Sequence, residues 1–210
     1  IDNHSLYNAC RENEKVIGIY CLDPRHFETT QYGFKKTEKF RTQFLLETLT
    51  ELQQNLEEKN ISLLIYYGYP EQLIPEVAEK HQIDTIYSQN EWTQEEVDVE
   101  TEVRNLIPAV NWKTYYDQFL FHPDDVPYED WEKIPEVFTE FRKQLEKKIR
   151  VRPTVSISAK STSNLIEEKT SIPTLEDLGF DGFKQPNKTA FPFKGGENQA
   201  KKRIKEYFWD

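Results

Sequence analysis

The chain has 210 residues, of which 37 are acidic and 27 basic, so its formal net charge is −10. This length allows one large domain with a hydrophobic core, and the 37% of hydrophobic residues, with 13% aromatic, argue against a disordered chain. The negative charge repels the phosphate backbone of nucleic acids over most of the surface, so any contact with them must be local or involve another part of the protein.

Strand-like and helix-like segments alternate along the chain, which is typical of βα units that build a parallel sheet. Asp2 and Asn3 are good N-cap residues for a first helix that runs to about Arg11. Four short segments rich in β-branched and aromatic residues then predict strands at 16–21, 61–66, 84–88 and 110–116. Apolar spacings of three and four, together with helix-bounding prolines, predict helices between them at 38–57, 70–81 and 93–106.

The predicted fold is therefore α/β, with a doubly wound, Rossmann-like parallel sheet of five strands. A βαβ unit needs a strand before its first helix, and no strand precedes the helix that starts near Asn3. We expect this first strand, which is central in such a sheet, to lie before Ile1.

Composition divides the chain into four parts. Residues 1–122 form the predicted α/β core. Residues 123–153 combine an acidic, proline-rich connector with a helix whose apolar stripe runs over 137–149. The stretch 154–196, rich in Ser, Thr, Gly and Pro, predicts an interdomain linker, and 197–210 predicts the first helix of a second domain.

Motifs for several common chemistries are absent from the sequence. It has no GxGxxG after a strand, no P-loop, no HExxH and no GxSxG, and its four histidines lack metal-ligand spacing. We therefore expect neither a metal site nor a catalytic residue in this chain. Cys10 and Cys21 are each expected to be a buried free thiol. The absence of a long apolar run and of a signal peptide predicts a cytoplasmic protein without membrane contact.

The segment 87–96, YSQNEWTQEE, leaves one predicted strand and enters a helix. Ligands of open α/β sheets bind at the carboxyl ends of strands, so Asn90, Glu91, Trp92 and Gln94 lie where a small molecule would bind. A carboxylate can accept two hydrogen bonds from an aminopyrimidine-like edge, and Trp92 offers a stacking face. The alternative, which the pattern alone favours, is that Glu91 and Glu95 only stabilise a helix N-terminus through its dipole.

Two basic clusters interrupt the acidic composition. The first spans Arg142 to Arg152, and the second joins Lys201, Lys202, Arg203 and Lys205 to the aromatic residues 207–209. Either cluster can contact phosphate or an acidic partner. The plainer interpretations are a solvated helix face for the first cluster and aromatic side chains packed against a neighbouring segment for the second.

Five segments together resemble the photolyase/cryptochrome family, in particular its DASH-type branch. The run FKGGE followed by YFWD is the most specific of these segments, and CLDPRHF is the next. The segments are DNHSLYNAC at 2–10, CLDPRHF at 21–27, YSQNEWTQEEVDVE at 87–100, FTEFRKQLEKKIRVRP at 138–153 and FPFKGGENQAKKRIKEYFWD at 191–210.

The resemblance implies a HUP-type antenna domain that holds 5,10-methenyltetrahydrofolate, a folate that passes excitation to FAD in a flavin-binding half beyond Asp210. It assigns folate contact first to Glu91, then to Asn90, Gln94 and Glu95, beside the ring of Trp92. For the full-length protein it implies a deoxyribodipyrimidine photolyase that repairs pyrimidine dimers in single-stranded DNA. A non-enzymatic blue-light photoreceptor and a chromophore-free interaction domain of the same fold are the alternatives.

Overall fold

The computed structural model describes residues 2–184, 188–189 and 192–209. Its elements alternate in the order that the sequence predicts. The helices are α1 (His4–Glu12), α2 (Lys39–Glu57), α3 (Pro70–Lys80), α4 (Gln94–Leu106), α5 (Phe138–Lys148) and α6 (Glu197–Trp209). The strands are β1 (Gly18–Leu22), β2 (Leu63–Tyr67), β3 (Thr85–Gln89) and β4 (Asn111–Tyr115).

The strands form two parallel pairs. In β1 and β2, Gly18 lies opposite Leu63, and in β3 and β4, Thr85 lies opposite Asn111. The described residues thus hold two two-stranded sheets and not one continuous sheet. The strand that we expect before Ile1 lies outside the described residues.

One strand boundary differs from the predictions, and one of the two predicted N-cap residues of α1 is used. β1 begins at Gly18 and not at Val16, because the backbone N–H and C=O of Val16 are hydrogen-bonded to the side chain of Asn164. At the start of α1, Asn3 is the N-cap, and its Oδ1 accepts from the Leu6 N–H at 2.7 Å. The carboxylate of Asp2 instead accepts from the N–H of Val155 at 2.9 Å, so it ties the start of the chain to a distant segment.

The hydrophobic core lies between α2, the β1–β2 pair and a later part of the chain. The buried face of α2 carries Leu46, Leu49 and Leu56. Phe40 and Phe44, whose spacing of four also fits the apolar pattern that predicts the helix at 38–57, remain 50% and 41% exposed. The spacing thus predicts the helix correctly but includes positions that lie at the edge of the buried face.

Residues 155–180, here called the strap, pack against this core although they contain almost no regular structure. Leu175, Leu178 and Phe180 of the strap belong to the main hydrophobic cluster. Asn164 is 2% exposed and holds Val16 on both of its backbone groups, and Thr170 Oγ1 accepts from the backbone N–H of Ile65 at 2.7 Å. The division of the chain into domains stays a prediction, but this part of the predicted linker is an integral layer of the fold.

Glu168 fastens the strap to β2 and α3. Its carboxylate accepts from the hydroxyl of Tyr66 and from Nε2 of His81, each at 2.8 Å, and pairs with Lys80 at 2.8 Å. The hydrogen bond from Lys80 is the largest of the contributions that lower the pKa of Glu168 to about 2. These contacts, with that of Thr170, cover an edge of β2 that would otherwise expose unpaired backbone groups.

Candidate functional site

The carboxyl ends of β3 and β4 lie side by side, joined by hydrogen bonds beyond the last paired residues. The Asn90 N–H donates to the Tyr115 carbonyl at 2.8 Å, and Nε2 of Gln118 donates to the Asn90 carbonyl at 2.5 Å. The predicted segment therefore leaves the sheet at a fixed point, next to the residues that follow β4.

Glu91 lies between β3 and α4, outside the helix. Its Oε1 accepts from Gln89 Nε2 at 3.3 Å, which is a long hydrogen bond, and the residue is half-buried. The acidic residues in the first turn of α4 are Glu95 and Glu96, so the helix-dipole interpretation applies to Glu95 and not to Glu91. Glu91 is left with acceptor capacity for a ligand.

Trp92 packs in an aromatic cluster with residues that follow β4. Its ring centroid lies 5.3 Å from that of Tyr116 and 5.7 Å from that of Phe119, and the side chain stays 50% exposed. Tyr116 also contacts His122 in an edge-on arrangement. The sequence predictions did not include Tyr116 and Phe119 in the site, although aromatic residues at and just beyond the end of the strand predicted at 110–116 were a usable signal.

The remaining two predicted residues are engaged along and beside α4. Nε2 of Gln94 donates to Asp98 Oδ1 at 2.6 Å, one turn further along the helix. Glu95 pairs with the ammonium of Lys36, whose hydrogen bond lowers the pKa of Glu95. Three of the predicted residues thus lie together at the end of β3: Asn90, Glu91 and Trp92. The side chains of Gln94 and Glu95 are instead engaged in contacts within the protein.

A charged cluster around the buried Asp23, next to the ends of β1 and β2, was missed by the sequence predictions. Asp23, 6% exposed, accepts two hydrogen bonds from Arg25 Nε at 2.9 Å, and Arg25 also reaches Glu71 at 2.9 Å and lies over the Tyr69 ring. Burial acts to raise the pKa of Asp23, but the hydrogen bonds from Arg25 outweigh it and hold the pKa below its ordinary value. The cluster thus places paired charged groups next to the carboxyl ends of these two strands.

Cys21 lies behind this cluster, and its thiol is expected to be unreactive. Burial, with smaller contributions from the negative charges of Asp23 and Glu71, raises the pKa of Cys21 from 9.0 to about 12. Burial also raises the pKa of Cys10, but the charges of Lys160 and Lys59 oppose it. We expect iodoacetamide to alkylate Cys10 faster than Cys21, as measured by mass spectrometry of the two peptides.

The raised pKa of Cys21 makes the free energy of unfolding depend on pH. The folded protein favours the neutral thiol, so the contribution of Cys21 is present below pH 9.0 and is lost as the pH rises toward about 12. A Cys21→Ala variant should lose stability less steeply over this range. Equal alkylation rates at both cysteines, or identical pH profiles, would contradict the assignment.

Several residues of the basic clusters pair with acidic residues of their own helices, whereas Arg152 pairs with Asp125 at 2.7 Å. Arg142 pairs with Glu146 at 3.5 Å and Lys143 with Glu140 at 3.3 Å, as expected for a solvated helix face. At the end of α6, Tyr207, Phe208 and Trp209 are 66% to 74% exposed. That they pack against a neighbouring segment stays a prediction.

Two clefts lie away from the five predicted residues. One, of about 560 Å³, lies between α1 and the strap, and the other, of about 460 Å³, lies between α3 and residues 106–110. Among the described residues, no group of three or more His, Cys, Asp or Glu side chains is arranged to hold a metal ion. No helix in these residues is long and apolar enough to cross a bilayer.

Comparison with known proteins identifies the family. The model of the DNA photolyase family matches residues 1–159. The chain belongs to this family. It is 35% identical to the cryptochrome DASH of Gloeobacter violaceus over 99% of the chain and 42% of that protein, and 36% identical to that of Danio rerio over the whole chain and 41% of that protein. The chain thus spans about two fifths of the length of these relatives.

Solved photolyase and cryptochrome structures confirm the α/β fold. A Synechocystis cryptochrome superposes with a TM-score of 0.89 at 33% identity, covering 99% of the chain and 43% of that structure. An archaeal photolyase from Sulfolobus tokodaii, at a TM-score of 0.72 and 22% identity over 98% of the chain and 42% of that structure, supports the fold alone. The resemblance of the chain to the DASH-type branch is confirmed.

Proposed function

We propose that this chain is the light-harvesting part of a cytoplasmic DASH-type photolyase/cryptochrome protein. It holds 5,10-methenyltetrahydrofolate at the carboxyl ends of β3 and β4. FAD and lesion-containing single-stranded DNA bind in a further part of the protein, in keeping with the longer relatives. In that full-length protein, the excited flavin repairs cyclobutane pyrimidine dimers by electron transfer.

The observation that carries the antenna proposal is the placement of Glu91. It lies two residues after the end of β3, precedes α4 and retains acceptor capacity, since its hydrogen bond from Gln89 is long. A carboxylate in this position suits the two adjacent N–H donors of an aminopyrimidine ring. Helix stabilisation does not account for Glu91, because the first turn of α4 already has Glu95 and Glu96.

The residues beside Glu91 also fit a folate. The half-exposed ring of Trp92, backed by Tyr116 and Phe119, offers a flat apolar face to a pterin-like ring. The Asn90 side chain adds a polar group at the same strand end. When bound, the folate supplies absorption in the near ultraviolet, and the protein residues supply its position.

Folate binding by Glu91 variants tests this proposal. Glu91→Ala is expected to weaken binding of methenyltetrahydrofolate by about tenfold or more, because it removes a charged acceptor of two hydrogen bonds. Glu91→Gln keeps one acceptor oxygen and should lose less. The measurement is a titration followed by the near-ultraviolet absorption band of the bound folate.

Glu102→Ala is the matched control, since Glu102 is an exposed carboxylate further along α4. It should bind folate like the wild type. If the wild-type chain binds no folate, the antenna proposal fails and the chromophore-free interaction domain is favoured. If Glu102→Ala weakens binding as much as Glu91→Ala, the assignment of the site fails.

Repair and photoreception are distinguished in the full-length protein. Under light and with reduced flavin, a photolyase should restore dimer-containing single-stranded DNA, whereas a photoreceptor should not. The 210-residue chain alone is expected neither to bind FAD tightly nor to repair DNA.

A further inference from the structure

The larger cleft lies at the amino end of β1, between the second half of α1 and the strap. It shares no residue with the site at the ends of β3 and β4. Its volume of about 560 Å³ lies within the range of small-molecule pockets. It is lined by Tyr7, Cys10, Arg11, Glu14, Lys15, Ile157, Ser158, Ala159, Lys160, Ser161 and Ser163.

The charged groups that line this cleft are mostly positive, although the whole chain is acidic. Arg11, Lys15 and Lys160 line the cleft together with one carboxylate, Glu14, and Arg11 also pairs with Glu12 at 3.1 Å. An excess of cations in an acidic protein is a local departure that needs a physical reason.

The two lysine ammonium groups contact only carbonyl oxygens within the described residues. Lys160 Nζ donates to the carbonyls of Cys10 at 3.0 Å and Asn13 at 2.5 Å, and Lys15 Nζ contacts the carbonyl of Ser163. Carbonyl groups carry no net charge, so no carboxylate balances either ammonium group, and the two carbonyls that Lys160 reaches belong to the C-terminal end of α1. A bound anion would gain from both charges without displacing a carboxylate from either lysine.

The positive charges act electrostatically on Cys10, which lines the cleft. Although burial raises the pKa of Cys10, the charges of Lys160 and of nearby Lys59 act in the opposite direction. Lys59 follows the same pattern as the lining lysines, since its Nζ donates to the Ile157 carbonyl at 2.9 Å.

The uncharged lining suits an organic phosphate. Ser158 and Ser161 supply hydroxyl groups that can donate to phosphate oxygens, while the Ser163 hydroxyl donates to Ser161 Oγ at 3.0 Å. Arg11 lies over the ring of Tyr7 at 5.6 Å, so a guanidinium group and a flat aromatic surface occur together. Arginine pairs with phosphate in a bidentate manner, and a tyrosine ring can contact a sugar or base.

We propose that this cleft binds a small molecule carrying a phosphate group, with the phosphate near Arg11, Lys15 and Lys160. The ligand is a phosphomonoester of nucleotide size or smaller. Its flat or sugar part lies toward Tyr7.

Titration of the 210-residue chain with adenosine 5′-monophosphate and with ribose 5-phosphate tests the proposal. Calorimetry gives the affinity, and amide resonances of the lining residues give the location. Both phosphates are expected to bind in the cleft, and adenosine, which lacks the phosphate, should not. Tighter binding of the nucleotide than of the sugar phosphate identifies a base as part of the ligand, whereas equal binding identifies a sugar phosphate.

Charge-changing variants of exposed residues test the role of the cations. Arg11→Gln and Lys15→Gln should each weaken binding about tenfold, because each removes one charge-assisted contact. Glu14→Gln removes the opposing carboxylate and should strengthen binding about twofold to threefold. Lys147→Gln on α5 changes the net charge equally but lies outside the cleft, and should leave binding unchanged.

Three results would overturn the proposal. They are the absence of shifts at the lining residues with either phosphate, binding of adenosine as tight as that of its monophosphate, and an equal loss with Lys147→Gln. Circular dichroism of each variant establishes that it is folded before the titration.

Discussion

Replacing Asn164 with alanine is expected to lower the free energy of unfolding by about 3 kcal/mol, because it strips three hydrogen bonds from a buried position. Asn164 Oδ1 accepts from the Val16 N–H at 2.7 Å, and its Nδ2 donates to the carbonyls of Val16 at 2.9 Å and Asn60 at 2.6 Å. The side chain is 2% exposed, so water cannot replace these bonds without opening the strap. Urea denaturation followed by circular dichroism measures the loss.

Asn105→Ala provides the matched control. Asn105 is exposed near the end of α4, and its substitution should change stability by less than about 0.5 kcal/mol. An Asn164→Ala variant as stable as this control would show that the strap contributes little to holding β1 and α2 together. Faster proteolysis within 155–180 in Asn164→Ala is a second expected result, because the strap loses its anchor on Val16.

The strap also shows which part of the fold the sequence could not predict. Helices and strands follow from patterns within a few residues, such as the apolar spacing of α2 or the β-branched run before Cys21. The bond from Asn164 to Val16 joins residues 148 positions apart, and nothing in a Ser- and Thr-rich stretch indicates which backbone it will reach. Composition therefore does not indicate that residues 155–180 pack against the core.

The residues of the candidate site also differ in how far the sequence could predict their roles. Asn90, Glu91 and Trp92 could be placed from the sequence because ligands bind at strand ends in this type of fold. Gln94 and Glu95 could not be separated from them, since their engagement with Asp98 and Lys36 depends on side-chain geometry.

The buried cluster of Asp23, Arg25 and Glu71 was missed for a related reason. Asp23 and Arg25 follow β1, whereas Glu71 lies in the first turn of α3, far away in sequence. An isolated DPR triplet does not reveal the second carboxylate, so the charge pairing is visible only in the fold.

At the Gly195–Gly196 turn, the addition of a single Cβ atom should also have a large effect on the structure. A Cβ at Gly195 would lie 2.1 Å from the backbone oxygen of Phe44, and Gly196 has a φ of +116°, which side-chain-bearing residues rarely adopt. The close approach lets two carboxylates of α2 reach the start of α6. Glu47 accepts from the Gly195 N–H at 2.8 Å, and Glu51 accepts from the Asn198 N–H at 2.6 Å.

We therefore expect Gly195→Ala to detach α6 from α2 while leaving the rest of the fold intact. Forced overlap with backbone costs about 1–3 kcal/mol, so amide hydrogen exchange within 197–209 should accelerate roughly 10- to 100-fold. Residues of the β1–β2 core should exchange as in the wild type. Hydrogen exchange followed by mass spectrometry of α6 and core peptides measures both effects.

Gly182→Ala separates this steric effect from the general consequences of losing a glycine. A Cβ there would meet only the flexible end of Glu176, at 3.2 Å, so exchange in α6 should not change. The double variant Glu47→Ala/Glu51→Ala removes the anchoring carboxylates without any overlap, and it should accelerate exchange in the first turn of α6. If α6 stays protected in both Gly195→Ala and the double variant, the helix is held by its other contacts with α2. If both variants lose protection of α6, the FKGGE segment anchors this helix on α2 and sets its direction. This segment is also the most specific part of the family resemblance.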